Sequence, residues 1–387
     1  MIHLLQGHFP GLLSVERAIS DLRRGYPVII RNHEKNQSVL VFSADTVSEE
    51  ALLHANAALG SCSVVLTGTR IKKITGQEAQ NGSGKIPLAF PLDVQNLYLL
   101  AGIDLTKSPE AAQHLTGLIE STNALEESAL EIVKLAELIP AAIIAPITKA
   151  SLDWINENQL LTVSLSDIAS FKQHNTETLS HVCHAPLCLE GAEEAAIDVY
   201  RPLIGGSEHY AITIGNALKD QAPLVRIHSS CYTGDLLRSL KCDCGDQLHE
   251  AIHFMGEKAQ KGEKNDSGGI IIYLMQEGRG IGLTNKLRAY DLQAQGMDTV
   301  DANEVLGFDD DERLFLPAVR ILELLGIQRI RLLTNNPRKA KGLEEHGVVV
   351  ESCVPHIMEP HKHNDAYIQT KANRLGHTIP SLPRSKT

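Results

Sequence analysis

Along the first 173 residues the apolar positions alternate between helical spacing and short, nearly continuous runs. The stretch "LLSVERAISDLRRG" predicts a helix, "YPVIIRN" and "SVLVFSA" predict strands, a helix is expected after Ser48, and "SCSVVLTG" predicts a further strand. Farther on, "LEESALEIVKLAELI" predicts a helix, "PAAIIAPI" is a short apolar run, and "LSDIASFKQ" predicts another helix. This alternation predicts an α/β domain over residues 1–174. Between Asn175 and Gly206 the chain mixes His, Pro, Glu and Gly without a clear period, so residues 175–206 are expected to form a linker. From Tyr210 a second pattern begins. It has strands at "YAITIG", "LVRIH", "GGIIIYLM" and "RIRLLT", separated by helices at about 245–262, 281–296, 312–325 and 337–345, and it assigns residues 207–387 to a second domain. The expected class is α/β (α+β), with two mixed-sheet domains. There is no internal repeat, low-complexity tract or heptad seam.

Composition narrows the function. A chain of 387 residues with 43% hydrophobic and 21% charged residues has the balance of a soluble globular protein of two domains. The N-terminus lacks a basic region leading into an apolar core, and no apolar run reaches the roughly 18 residues of a membrane span, so a cytoplasmic location is expected. Seven cysteines, an odd number, favour reduced or metal-bound thiols over a disulfide framework. A net charge of -11 argues against broad binding to nucleic acid or acidic membranes. It leaves room for a small anion held by a local cluster of Arg and Lys.

Three of the seven cysteines fall in "CYTGDLLRSLKCDCGD", at Cys231, Cys242 and Cys244. A zinc thiolate site needs deprotonated sulfurs that converge, and this spacing supplies three if Cys231 ends a strand and the other two lie on the turn into a helix at Gly245. The helix N-terminus and Arg238 or Lys241 would favour the thiolates. Spacing alone leaves three arrangements open: an open site with water as fourth ligand, a closed structural site completed by His228 or His249, and reduced core thiols without metal.

The longer strings "RIHSSCYTGDLLRSLKCDCGDQL", "MQEGRGIGLTNKLRAYDLQAQGMDTVDANEVLGFDDDER" and "LLTNNPRKAKGL" resemble the successive motifs of GTP cyclohydrolase II, in that family's order and spacing, from about Tyr210 to His377. The resemblance implies one zinc ion on Cys231, Cys242 and Cys244 with water in the fourth position, hydrolysis at C8 of the guanine ring of GTP, and loss of that carbon as formate. It matches Tyr290 to the active-site tyrosine, Asp311 to the proton acceptor, and Arg313 to the residue assigned as nucleophile at the α-phosphate, with loss of pyrophosphate. A guanidinium with a pKa above about 12 is a poor nucleophile, so Arg313 reads equally as an electrostatic clamp.

The same resemblance implies GTP contacts at Arg226, Ile227, His228, Ser229, Ser230, Gln247, Glu277, Gly278, Arg279, Thr299, Thr334 and Lys339, with Mg2+ on the triphosphate and a homodimer expected. Read alone, "DDDER" at 309–313 is an acidic helix start, Tyr290 an amphipathic helix residue, and "EGR" a solvated turn. The family usually carries Glu where this chain has Ser230. Two other readings stand beside the leading one: a paralogue that opens a related nucleotide or stops at the formamide, and a non-catalytic nucleotide-binding regulator with structural zinc.

The N-terminal half more faintly resembles 3,4-dihydroxy-2-butanone 4-phosphate synthase, in "AISDLRRGYPVII" and "SALEIVKLAELIPAAIIAPI". The acidic metal-binding stretch of that family is here "RNHEKNQSV", and Leu125 occupies the position of a catalytic His. Those substitutions remove the groups that bind magnesium and move protons, so this half is expected to be a degenerate scaffold. The chain should therefore form no dihydroxybutanone phosphate from ribulose 5-phosphate. Magnesium-dependent appearance of that product would overturn the expectation.

Overall fold

Six strands of the N-terminal half form one mixed sheet in the computed structural model, which describes residues 9–52, 61–79, 82–88, 93–358 and 364–374. They are β1 (Val28–Asn32), β2 (Gln37–Ser43), β3 (Ser63–Thr67), β4 (Ser83–Pro87), β5 (Ala141–Pro146) and β6 (Thr162–Ser164), in the order β4-β3-β5-β2-β1-β6. The pair β1 and β6 is parallel and the other pairs are antiparallel. Ala141 to Ala145 of β5 are all buried, which is why this strand reads as a continuous apolar run. The helix Ala124–Leu135 starts at a capping box: the Asn123 side chain accepts from the Glu126 amide, and the Glu126 carboxylate accepts from the Asn123 amide at 2.8 Å. Of the helix expected after Ser48, residues 53–60 lie outside the described residues.

The domain boundaries differ from the sequence expectation. One compact unit comprises Met1–His174 together with Gly280–Glu312, and the other comprises Asn175–Arg279 and Arg313–Thr387. The cause is burial. Leu292, Val305, Leu306 and Phe308 share a core with Leu66, Ile71 and Leu100. At about 1.5–3 kcal/mol per large apolar side chain removed from water, that face decides where the segment packs, whatever its place in the chain. The helix expected at 281–296 spans Gly282–Ala294, and a further helix, Thr299–Val305, is capped by Asp298, whose side chain accepts from the amides of Val300 and Asp301.

The second unit holds β7 (Ser180–Leu189), β8 (Ala192–Arg201), β9 (His209–Gly215), β10 (Leu224–Ser229), β11 (Gly268–Leu274), β12 (Arg329–Leu333) and β13 (Val349–Val354), in the order β13-β12-β10-β11-β9-β8-β7. The four strands β10 to β13 run parallel, and β9, β8 and β7 follow antiparallel. The expected linker is therefore largely the hairpin of β7 and β8. On β7 almost every residue is exposed, so no buried face imprinted an alternation on its sequence.

"DDDER" is not a helix start. The helix that follows begins at Leu316, with Pro317 in its first turn, where a missing amide costs nothing. In the first unit, Lys134 instead ties the acidic stretch through Glu312 at 2.6 Å and Asp309 at 3.6 Å. In the second unit, the Gln276 side chain accepts from the Leu314 amide and donates to its carbonyl, both at 2.9 Å. Among the described residues no helix is long and apolar enough to cross a membrane.

Candidate functional site

Three neighbouring parallel strands of the second unit each run into a motif singled out in the sequence. β10 leads to Ser230 and Cys231, β11 to Glu277–Arg279, and β12 to Thr334. The carboxyl ends of parallel strands are where open α/β sheets hold ligands, because loops and helix N-termini gather there. Strand alternation puts Arg226 and His228 of β10 on one face and sends Ile227 into the core on the other.

The sulfurs of Cys231, Cys242 and Cys244 lie within 4.8 Å of one another, and among the described residues these three make up the group. Cys231 follows β10, a single turn of π-helix covers Tyr232–Leu236, and Cys244 opens the helix Cys244–Lys261. The Gly234 amide donates to Cys231 Sγ at 3.3 Å, a bond that favours thiolate. Gly234 also has no room for a side chain: a Cβ there would sit 3.0 Å from the sulfurs of both Cys231 and Cys242. Proximity to Cys231 pushes the Cys242 thiol up to about 11. A soft dication is the partner this donor set suits, since it draws the protons off and cancels the repulsion among the resulting charges.

Neither histidine proposed as a fourth ligand joins the sulfurs. His228 is buried, and its Nδ1 faces Arg226 Nη2 at 3.2 Å. A guanidinium only donates, so Nδ1 accepts and the ring proton sits on Nε2, facing both Asp235 oxygens at 3.2 Å. Burial pushes His228 down to about 4 against the opposing pull of Asp235, so the ring is neutral at pH 7. Both of its nitrogens are committed. His249 Nε2 is buried without a hydrogen-bond partner, and His249 lies outside the sulfur group.

Around this centre runs a network that the sequence did not single out. Asp235 accepts from the Cys231 amide at 3.0 Å, from Tyr273 Oη at 2.8 Å and from His228, and so ties the end of β10, the cysteine loop and β11 together. Arg226 donates to Gln247 Oε1 at 2.8 Å, and Gln247 Nε2 donates to Asp243 at 2.7 Å, between the cysteines. Burial lowers Arg226 to about 10, which leaves it charged at neutral pH. Asp235, Tyr273 and Asp243 are the missed residues. The faint signal for them was an acid four positions after the first cysteine and a lone Tyr in the apolar run "IIIYL".

The remaining positions divide between the two units. In the second, Glu277 accepts from the Tyr232 amide at 2.6 Å. Gly278 and Arg279 both have positive φ, near 63° and 64°, and Arg279 lies over the Tyr367 ring at 5.8 Å. Ser229 Oγ is buried without a hydrogen-bond partner, and the Ser230 amide donates to Leu274 O at 2.8 Å. Thr334 Oγ1 accepts from the Asn336 amide, Asn336 caps the helix Pro337–Glu344, and Lys339 Nζ donates to Ile227 O at 2.8 Å. Arg313 lies over the Phe315 ring at 5.8 Å. Tyr290, Thr299 and Asp311 belong to the first unit. There Lys286 Nζ lies over the Tyr290 ring at 5.6 Å, and Thr299 opens the helix Thr299–Val305.

A family model described as GTP cyclohydrolase II matches residues 181–355. The chain is 40% identical over 372 residues to GTP cyclohydrolase-2 of Azospirillum brasilense, covering 94% of this chain and 93% of the relative. It is 37% identical over 365 residues to GTP cyclohydrolase-2 of Xylella fastidiosa, covering 94% and 87%. It is also 32% identical over 407 residues to riboflavin biosynthesis protein RibBA of Phocaeicola vulgatus, covering 95% and 98%. Among solved structures, RibBX, a two-domain 3,4-dihydroxy-2-butanone 4-phosphate synthase from A. baumannii, aligns over 88% of this chain and 99% of its own. That alignment has 16% identity and a TM-score of 0.33, too low to carry an argument.

Two outcomes follow from this geometry. A Gly234→Ala variant should fold yet retain less metal, because its methyl group meets two sulfurs. Elemental analysis after dialysis checks this, and wild-type metal content would refute it. The second concerns acid. Burial holds His209, His228 and His356 near 4, below their ordinary value of 6.5, so the stabilisation from keeping them neutral is complete above pH 6.5 and is lost as pH falls toward 4. The loss is about 2 kcal/mol per histidine at pH 5. Urea unfolding at pH 7 and pH 5 should show it. A His209→Asn variant, whose side-chain oxygen can accept from the Met275 amide as Nδ1 does, should be less acid-sensitive.

Proposed function

The chain belongs to the GTP cyclohydrolase II family and is a GTP cyclohydrolase of riboflavin biosynthesis, and on that premise we propose that it opens the imidazole ring of GTP at C8. Two waters add in turn at C8 and carry that carbon away as formate, a third displaces pyrophosphate from the α-phosphorus, and the product is 2,5-diamino-6-(5-phosphoribosylamino)pyrimidin-4(3H)-one. Cys231, Cys242 and Cys244 would hold one zinc ion, which when bound supplies a water ionisable near neutral pH. The observation that carries the reading is the three-sulfur group beside a His228 whose two nitrogens are both engaged elsewhere, since a donor set of three leaves the fourth position to a reagent.

The chain's own residues then divide the work. Glu277 pairs with guanine N1 and the exocyclic amine, and the backbone of Gly278 and Arg279 approaches the base. Neutral His228 offers no charge to the base, while Arg226 and Gln247 hold the wall behind it. Thr334 and Lys339, beside the start of the helix Pro337–Glu344, meet the phosphates together with Mg2+. Thr299 adds a GTP contact. Tyr290 moves a proton during ring opening, and Asp311 accepts one. Arg313 acts at the α-phosphate as a charge clamp, because a guanidinium that stays protonated stabilises leaving pyrophosphate better than it attacks. A homodimer is part of this proposal.

The zinc-loaded protein should release formate and pyrophosphate from GTP, assayed together. Cys242→Ala or Cys244→Ala should lose the metal, and Cys231→Ala should abolish formate while some pyrophosphate release persists. Arg313→Ala should impair the phosphate step most, and Tyr290→Phe the ring step alone. Freshly purified protein without zinc would sink the metal assignment. Parallel loss of both products in a variant that still binds GTP would sink the division of labour.

A further inference from the structure

The N-terminal half, expected from its sequence to lack synthase chemistry, grips one later segment of the chain at several points. Arg70 is 2% exposed, and its guanidinium donates to three backbone carbonyls: Leu99 O at 2.6 Å, Leu100 O at 2.9 Å and Val305 O at 2.7 Å. Leu99 and Leu100 end the helix Val94–Ala101, and Val305 ends the helix Thr299–Val305. One cation thus serves the unsatisfied carbonyls, and the negative dipole ends, of two helices more than 200 positions apart. The approach needs Gly102, at φ +82°, where a Cβ would lie 2.9 Å from Val305 O and 3.1 Å from Arg70 Cζ.

The other anchors flank the functional positions. Asn285 Nδ2 donates to Glu137 O at 2.9 Å, and Arg288 makes a two-pronged contact with Asp45 at 2.7 and 2.8 Å, just before Tyr290. Lys73 pairs with Asp301 at 3.0 Å and Glu304 at 2.7 Å, just after Thr299. Thr67 Oγ1 donates to Gly307 O at 2.7 Å, and Lys134 holds Glu312, so Asp311 sits between two fixed points. Ordinary packing would require only the apolar face. Polar bonds at Asn285 and Arg288 lead into Tyr290, those at Asp301 and Glu304 follow Thr299, and those at Gly307 and Glu312 bracket Asp311.

We propose that the N-terminal half is the platform that positions Tyr290, Thr299 and Asp311 for reaction on GTP, with Arg70 as its central positioning residue. The catalytic part of this rests on the roles proposed above.

The test uses the full chain with Arg70→Ala, Lys73→Ala and Thr67→Val, and Thr67→Ser as the variant that keeps the hydroxyl. Hydrogen exchange read by mass spectrometry should quicken in peptides covering 299–312 while those of β2 and β5 stay protected. The kcat for formate release should fall, by roughly 10²-fold for Arg70→Ala, as expected when reacting groups shift by about an ångström. Zinc content should stay at the wild-type value, and Thr67→Ser should restore both readouts. If Arg70→Ala fails to fold, Lys73→Ala and Thr67→Val decide the matter. Unchanged exchange in 299–312, or faster exchange with kcat within twofold of wild type, would overturn the proposal. Wild-type protein that releases no formate would instead defeat the proposed reaction, and the exchange arm would then judge the platform by itself.

Discussion

The sulfur centre depends on a contact between two stretches of bare backbone. A Cβ on Gly245 would fall 2.2 Å from the carbonyl oxygen of residue 234, so the first turn of the helix Cys244–Lys261 meets the cysteine loop only because Gly245 has no side chain, and a Cβ on Gly234 would itself fall 3.0 Å from the sulfurs of Cys231 and Cys242. That approach brings Cys244 to Cys231 and Cys242. It also fixes the direction of Asp235, one residue on, whose carboxylate gathers the Cys231 amide, Tyr273 and His228. The cysteine loop and the polar face of β10 are thereby joined through one carboxylate. A shift at either side is transmitted through a buried carboxylate that accepts from three donors.

Sequence reasoning reached the parts of this molecule in which local chemistry and tertiary demand coincide. The strands β5 and β11 are apolar runs because both of their faces are covered, and such runs read as strands. The cysteines were legible because three thiols at short spacing serve few purposes. The hairpin strand β7 was not legible, since exposed residues carry no period. The acidic stretch at 309–313 obeyed the rule for a helix start and still became a loop, because Lys134 and Gln276 offered its neighbourhood partners that local preference could not anticipate. Asp235 and Tyr273 look ordinary in one dimension. Their importance comes from convergence, which only the fold supplies.

The boundary between the units failed in one dimension for the same reason. A composition break marks where one pattern ends, whereas a core is defined by whichever apolar faces fit, and Phe308 fits beside Leu66 and Ile71. Leu125 belongs to this account. It is 7% exposed in the capped helix Ala124–Leu135. Its side chain contributes packing to the first unit.

The interleaving of the chain has a consequence for its synthesis on the ribosome. The first 174 residues emerge before the segment that finishes their core, and Leu292, Val305, Leu306 and Phe308 arrive more than a hundred residues later. At about 5–20 residues per second, the nascent N-terminal half waits on the order of ten seconds with apolar surface uncovered. Chaperone dependence should therefore concentrate in that interval, and rare codons placed between residues 175 and 280 would lengthen it.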